Sequence, residues 1–268
     1  MRNGIKDRWA EGRPVLNGWL SIASPFAAEI LAAQGYDSLT IDLQHGAVDY
    51  ADMLGMLQAM RASGVVPLAR VPWLDPAAVM KALDAGCMGV IAPMIDTPAQ
   101  AAALVSYLRY PPAGTRSFGP TRATFATGAP YDGGADDHML GFAMIETAAG
   151  FANLEGIART PGLDGLYIGP SDLTIALTGR RHRFGLDREE PEMIEAFQAV
   201  LAAAKAAGIR AGLHCGSAAY AARAVGWGFD LVTLPNDVQL LARGAAASLA
   251  EVRDLLGEAA VPATRPAY

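Results

Sequence analysis

Four short apolar runs end in groups that could do chemistry: Ser38-Leu-Thr-Ile-Asp42-Leu-Gln44-His45-Gly46, Val65-Val-Pro-Leu-Ala-Arg70, Phe142-Ala-Met-Ile-Glu146 and Gly165-Leu-Tyr-Ile-Gly169-Pro170-Ser171-Asp172. Together they offer an imidazole, a guanidinium and two carboxylates. Glu146 and Asp172 are hard oxygen donors, suited to Mg²⁺, Mn²⁺ or a similar octahedral ion that keeps positions open for a ligand. Each is equally suited to cap a helix that follows its strand. His45 could serve as a general base near neutral pH, or simply hold a strand-to-helix junction. Arg70 could fix a carboxylate or a developing enolate through its forked donors. It could also pair with Asp42 at the rim, and the two roles are compatible, because pairing orients a guanidinium.

Other chemistries lack their residues. The three lysines, Lys6, Lys81 and Lys205, all lie away from strand ends, which argues against an imine mechanism needing a desolvated lysine in the site. The glycine signatures of dinucleotide and nucleotide sites, and the serine elbow of hydrolases, are missing. Cys87 and Cys215 show no metal-type spacing to histidine, so reduced, unpaired thiols are expected and a zinc site is not. Cys215, next to His214, reads as a packing or rim residue, with no cation nearby to lower its pKa. His138 and His182 fall in polar sequence and read as surface residues.

For these groups to meet, the elements carrying them must deliver strand ends to one face. Strand-like runs lie near 15-20, 38-43, 66-70, 89-93, 141-146, 165-168, 209-213 and 230-234, alternating with helical patterns near 24-34, 50-62, 75-85, 97-108, 147-158, 191-207, 217-226 and 237-256. This alternation predicts a parallel sheet covered by helices, and eight repeats predict a single (β/α)8 barrel over 1-268, whose strand C-termini share one face. Gly35, Gly64, Gly86 and Gly208 stand where helices stop, as left-handed caps do. The Gly- and Pro-rich stretch 111-138, carrying Arg116 and Arg122, is too long for an ordinary connection. Following the fourth strand, it is expected to overhang the same face and shape the acceptor side of the site.

Bulk properties narrow the partners. Of 268 residues, 52% are hydrophobic and 18% charged, which is ample for a large core. The net charge of -6 comes without a Lys/Arg cluster, so neither nucleic acid nor an anionic membrane is an expected partner. No apolar run is long enough to span a bilayer and the first residues lack a signal-peptide core, so a cytoplasmic location is expected.

Taken in order, Ile41-Asp-Leu-Gln-His-Gly46, Arg70-Val-Pro-Trp73, Leu83-Asp84-Ala-Gly86, Gly89-Val-Ile-Ala-Pro-Met94, Tyr110-Pro-Pro-Ala-Gly-Thr-Arg116, Met144-Ile-Glu-Thr147 and Asp164-Gly-Leu-Tyr-Ile-Gly-Pro-Ser-Asp-Leu173 resemble the HpcH/HpaI family of metal-dependent pyruvate aldolases. The resemblance covers nearly the whole chain. It implies reversible aldol cleavage of a 4-hydroxy-2-oxo acid to pyruvate, or hydroxypyruvate, and an aldehyde. It also implies Glu146 and Asp172 as ligands of Mg²⁺, Mn²⁺ or Co²⁺, His45 as base, Asp84 raising its basicity, and Arg70 as enolate stabiliser. The backbone of Gly169-Pro170-Ser171-Asp172 would hold the ketoacid carboxylate. The family pattern further implies a homo-oligomer, a trimer of dimers, with the C-terminal helix exchanged onto a neighbouring subunit. Met144 stands where better-known members carry Gln, which points to a more permissive donor pocket and to hydroxypyruvate as an accepted donor. An acyl-CoA ester lyase on the same barrel and a non-catalytic ketoacid-binding protein are the alternatives.

Overall fold

Strand runs buried on both faces must be covered on both, and the chain solves this by closing them on themselves. The computed structural model describes residues 2–127, 131 and 134–257. Its strands are β1 (Val15–Leu20), β2 (Ser38–Asp42), β3 (Val66–Arg70), β4 (Gly89–Ala92), β5 (Leu140–Ile145), β6 (Gly165–Ile168), β7 (Arg210–His214) and β8 (Leu231–Thr233). All pair in parallel and in sequence order, with β8 returning to β1. With the intervening helices this is a (β/α)8 TIM barrel, and each observed strand begins and ends within a residue of its expected place.

The helices are α1 (Gly4–Ala10), α2 (Pro25–Ala32), α3 (Tyr50–Met60), α4 (Pro76–Ala85), α5 (Pro98–Leu108), α6 (Ala123–Thr127), α7 (Ala135–His138), α8 (Ala148–Ala152), α9 (Leu154–Ala158), α10 (Pro170–Thr178), α11 (Pro191–Ala206), α12 (Ala218–Trp227) and α13 (Asp237–Leu256). Several starts are written locally. Asp49 with Asp52 and Thr97 with Gln100 form reciprocal capping boxes on α3 and α5. The expected helix at 147-158 is two pieces, because the chain breaks at Asn153 between α8 and α9.

Inside the barrel a polar layer joins four strands. Asn17 donates to the Thr233 hydroxyl at 2.9 Å and accepts from Ser38 and Thr40 at 2.8 and 3.1 Å, while the Tyr167 and Thr233 hydroxyls lie 2.6 Å apart. These groups satisfy one another, so burying them fixes strand register rather than leaving a polar deficit. Helix α1 closes the N-terminal end of the barrel with Ile5 and Trp9, and Asn3 donates there to the Met88 and His138 carbonyls.

The stretch 111-138 does not overhang the C-terminal face. It follows α5, not β4 directly, so the chain has already returned to the opposite end when it begins. Its contacts agree: Arg122 donates to the Ala85 carbonyl at the end of α4, the Phe125 carbonyl accepts from Arg61 just past α3, and Asp136 accepts from the backbone of Tyr110. Residues 128–130, 132 and 133 of this stretch lie outside the described ones. Arg116 and Arg122 therefore lie at the opposite end from the chain's own site and do not shape its acceptor side.

Candidate active site

Parallel closure brings His45, Arg70, Glu146 and Asp172 to the C-terminal face. Arg70 is the last residue of β3 and Asp42 the last of β2, and the two stand in register. Arg70 Nε and Nη2 donate to the two Asp42 oxygens at 2.8 and 2.6 Å, a buried bidentate pair of the kind foreseen at the rim. Asp42 also accepts from the Trp19 indole at 3.2 Å and from the backbone N–H groups of Gln44 and His45. Burial alone would raise the Asp42 carboxyl, but hydrogen bonds and charge from Arg70, with the His45 N–H and the indole, hold it below the usual carboxylate range. Asp42 therefore fixes both the guanidinium and the turn that projects His45, which is exposed.

Glu146, one residue past β5, is buried, and its Oε1 accepts from the Met94 N–H at 2.8 Å. Met94 achieves this with φ at +56°, an unusual conformation for a side-chain-bearing residue that turns its N–H toward the carboxylate. Burial, and beyond it the negative charge of Asp172, push Glu146 up to about 7, against the Met94 hydrogen bond. Neither Glu146 nor Asp172 has an ion-pair partner among the described residues. Capping is done by others: Thr147 caps α8, and Asp172 sits inside the first turn of α10, whose N-cap is Gly169. A Cβ at Gly169 would collide with Glu146 Oε2 and with the Met144 methyl. So Gly169 permits close approach of the two segments, and Met144 and Glu146 face the same side, as their spacing on a strand requires.

A carboxylate pushed toward its neutral form by burial, and further by a second carboxylate, is short of positive charge, and a divalent ion fits that deficit. Among the described residues no cluster of three or more His, Cys, Asp or Glu could hold a metal. Two carboxylates suit an oxygen-seeking ion that keeps water and substrate in its remaining positions, and do not suit zinc.

Asp84 is not at this face. It lies in the last turn of α4, at the opposite end of the barrel, and pairs with Arg116 Nη2 at 2.6 Å. Arg116 is itself buried between the rings of Tyr110 and Tyr131. Within one chain, Asp84 and His45 are not brought together.

Two neighbours of the site carry no motif of their own. Trp19 lies under Arg70, 4.9 Å from Cζ to the ring, and its role could be inferred only from an aromatic residue near a strand end. Asp96 accepts from the Thr147 hydroxyl and adds to the negative field at Glu146. Cys215 is buried, with its thiol pushed up by burial, and Cys87 is pushed up to about 12 by the same cause, so both are inert packing thiols. His182 pairs with Glu192 at the surface, whereas His138 is partly buried in α7, with a ring nitrogen that lacks a partner.

The raised Glu146 pKa makes a sign-definite prediction for the metal-free protein. A carboxyl whose folded pKa lies above its unfolded value of 4.5 contributes stability below that value, lost as pH rises through about 7. Glu146→Gln does not titrate, so its stability relative to the parent should rise between pH 5 and 8, by on the order of 3 kcal/mol. Thermal melts of both proteins after chelation check this. A constant gap across pH would contradict it.

The comparisons with known proteins agree with this geometry. A family model described as HpcH/HpaI aldolase/citrate lyase matches residues 16–243. A hydroxypyruvate/pyruvate aldolase from Rhizorhabdus wittichii is 41% identical over 253 residues, covering 94% of this chain and all of the relative. One of the same name from Deinococcus radiodurans is 36% identical, over 98% of this chain and 94% of the relative. A crystal structure of an HpcH/HpaI aldolase/citrate lyase family protein from Burkholderia cenocepacia superposes with a TM-score of 0.85 at 36% identity, covering 94% of this chain and all of the other. A barrel of this topology, its rim carboxylates and a match over most of its length identify the chain as an enzyme of the HpcH/HpaI aldolase/citrate lyase family, a carbon-carbon lyase of the aldol type.

Proposed function

We propose that this enzyme catalyses reversible aldol cleavage of a 4-hydroxy-2-oxo acid to pyruvate, or hydroxypyruvate, and an aldehyde. The observation carrying this reading is the charge-deficient pair Glu146 and Asp172, set on the same face as a rigid Arg70 and an open His45. Glu146 and Asp172 would hold Mg²⁺, Mn²⁺ or Co²⁺, which supplies Lewis-acid stabilisation of the donor enolate. The free N–H groups of Ser171 and Asp172, behind Gly169 and Pro170 at the start of α10, face the donor carboxylate, as a helix N-terminus favours. Arg70 holds the developing enolate oxygen in a geometry already fixed by Asp42. Met144 forms an apolar wall beside the donor, without the donor and acceptor that an amide would offer.

In cleavage, His45 takes the proton from the C4 hydroxyl as the C3-C4 bond breaks, and in addition it returns one to the new alkoxide. Asp84 raises the basicity of His45 only if it comes from a neighbouring copy, since its own His45 is at the other end of the barrel. This fits a single-domain, cytoplasmic homo-oligomer, a trimer of dimers, with α13 exchanged between subunits. Supporting that exchange, α13 leaves Leu241, Leu255 and Leu256 67%, 79% and 67% exposed along its own barrel. Among the described residues no helix is long and apolar enough to cross a membrane.

A retro-aldol screen of chelated and metal-reconstituted enzyme, coupled to detection of the released ketoacid, tests the reading. Chelation should abolish activity, and Mg²⁺, Mn²⁺ or Co²⁺ should restore it. Borohydride trapping of a substrate adduct on lysine would overturn it. Lys6 donates to the Asp137 carbonyl at the N-terminal end, and Lys81 rests on the Tyr50 ring, so neither is available for an imine.

A further inference from the structure

His214 is the last residue of β7 and stands in register with Thr233 of β8. Paired residues of parallel strands point to the same side, and Thr233 points inward, to Tyr167 and Asn17. His214 therefore faces the barrel interior at its C-terminal mouth. Its ring lies 4.7 Å from that of Trp19 and 6.4 Å from that of Tyr167. Arg70 approaches the same indole, at 4.9 Å, so the imidazole and the guanidinium converge on one aromatic floor.

The ring nitrogens of His214 make no hydrogen bond with any described residue, yet they are not sealed from solvent, and the residue is partly exposed. Cys215 does not compete for them, since its sulfur turns back to the Leu213 carbonyl at 3.7 Å. Partial burial, and then the nearby Arg70 charge, push the imidazole down to about 3, so the ring is neutral and offers one donor and one acceptor. Such a group is left over once the reaction has been assigned to His45, Arg70 and the two carboxylates. A polar group at the barrel mouth, with no protein partner, is a recognition group in want of a ligand atom.

We propose that His214 is a specificity-determining residue that hydrogen-bonds the C3 hydroxyl of a 3-hydroxy-2-oxo acid donor. The assignment rests on the aldolase reading above. It places the contact on the donor because Arg70, which shares the Trp19 floor, is the group assigned to the donor's enolate oxygen. Pyruvate bears only hydrogen at C3 and leaves the imidazole unpaired, whereas hydroxypyruvate satisfies it. Met144 merely tolerates a bulkier donor, while His214 selects for the hydroxyl.

The test compares the parent, His214→Leu and His214→Gln with Mn²⁺, one aldehyde, and hydroxypyruvate or pyruvate as donor, alongside calorimetric binding of each ketoacid. His214→Leu should lower kcat/KM and affinity for hydroxypyruvate by roughly 10- to 100-fold while pyruvate stays within about threefold. His214→Gln, which keeps a donor and an acceptor, should recover most of the loss. Equal losses on both donors, or an unchanged ratio, would overturn the role of His214 and leave the aldolase reading standing. If the parent neither binds nor turns over either ketoacid, the aldolase reading falls, and this inference with it.

Discussion

Glu146→Ala or Asp172→Ala should leave a folded barrel with aldolase turnover reduced by at least about a thousandfold, because electrostatic stabilisation of the enolate is the term asked to supply most of the rate. The two substitutions should differ in stability while agreeing in activity. Glu146 is buried and desolvated, so removing its carboxylate relieves an unfavourable charge above pH 7, whereas Asp172 is exposed and its loss should be nearly neutral. Circular dichroism melts and metal titration calorimetry on both variants check this. A Glu146→Ala enzyme that retains metal affinity and turnover would remove this pair from the mechanism.

The second large effect is expected from mixing two dead enzymes. His45→Ala removes the proposed general base, a contribution of about 10² to 10⁴ in rate, and Asp84→Ala should depress turnover by the same route. Since Asp84 and His45 sit at opposite ends of one barrel, the proposed dyad would form between copies, and a two-fold interface would make that arrangement reciprocal. In a mixed assembly one site then combines an intact His45 with an intact Asp84, and the other lacks both. Co-refolding equal amounts should recover roughly a quarter of parental activity under random pairing. No recovery, with mixed assembly verified by mass, would mean that Asp84 does not act on His45 across subunits.

The barrel was largely readable in the chain because its strands are short, apolar and bounded by turn residues. Gly35, Gly64, Gly86 and Gly208 stand just past helix ends with positive φ, as a left-handed stop requires. The placement of the candidate site residues was readable for a related reason: in this fold a polar group ending an apolar run lies at the mouth, and Arg70, Glu146 and Asp172 each end or follow one. What escaped was information that does not run along the chain. Helix α10 carries Pro170 at its first turn, Asp172 in it and Gly179 at its C-cap, but its Thr and Ile content weakens the helical pattern. Asp84 sits in a segment typical of the family, yet which end of the barrel it occupies depends on α4 descending before β4 begins. The place of 111-138 is hidden in the same way, because counting strands without the helix α5 between β4 and this stretch inverts the face. Trp19 and His214 acquire meaning only through each other and Arg70, a contact among β1, β3 and β7 that no local spacing encodes.

Helix α13 is tied to its own barrel through its first two turns, at Asp237 and again where Arg243 donates to the Gly216 carbonyl. Asp237 accepts from the backbone N–H groups of Ser21 and Ile22, and Asn236 caps the helix start. Beyond that anchor its apolar residues find little of their own barrel to cover. Under the proposed exchange, closure of the barrel is a unimolecular event and burial of α13 a bimolecular one, so the two would respond differently to dilution. Lowering protein concentration should leave barrel order intact while the helix loosens from its anchor outward, and the thermal midpoint of the enzyme becomes a function of how much of it is present.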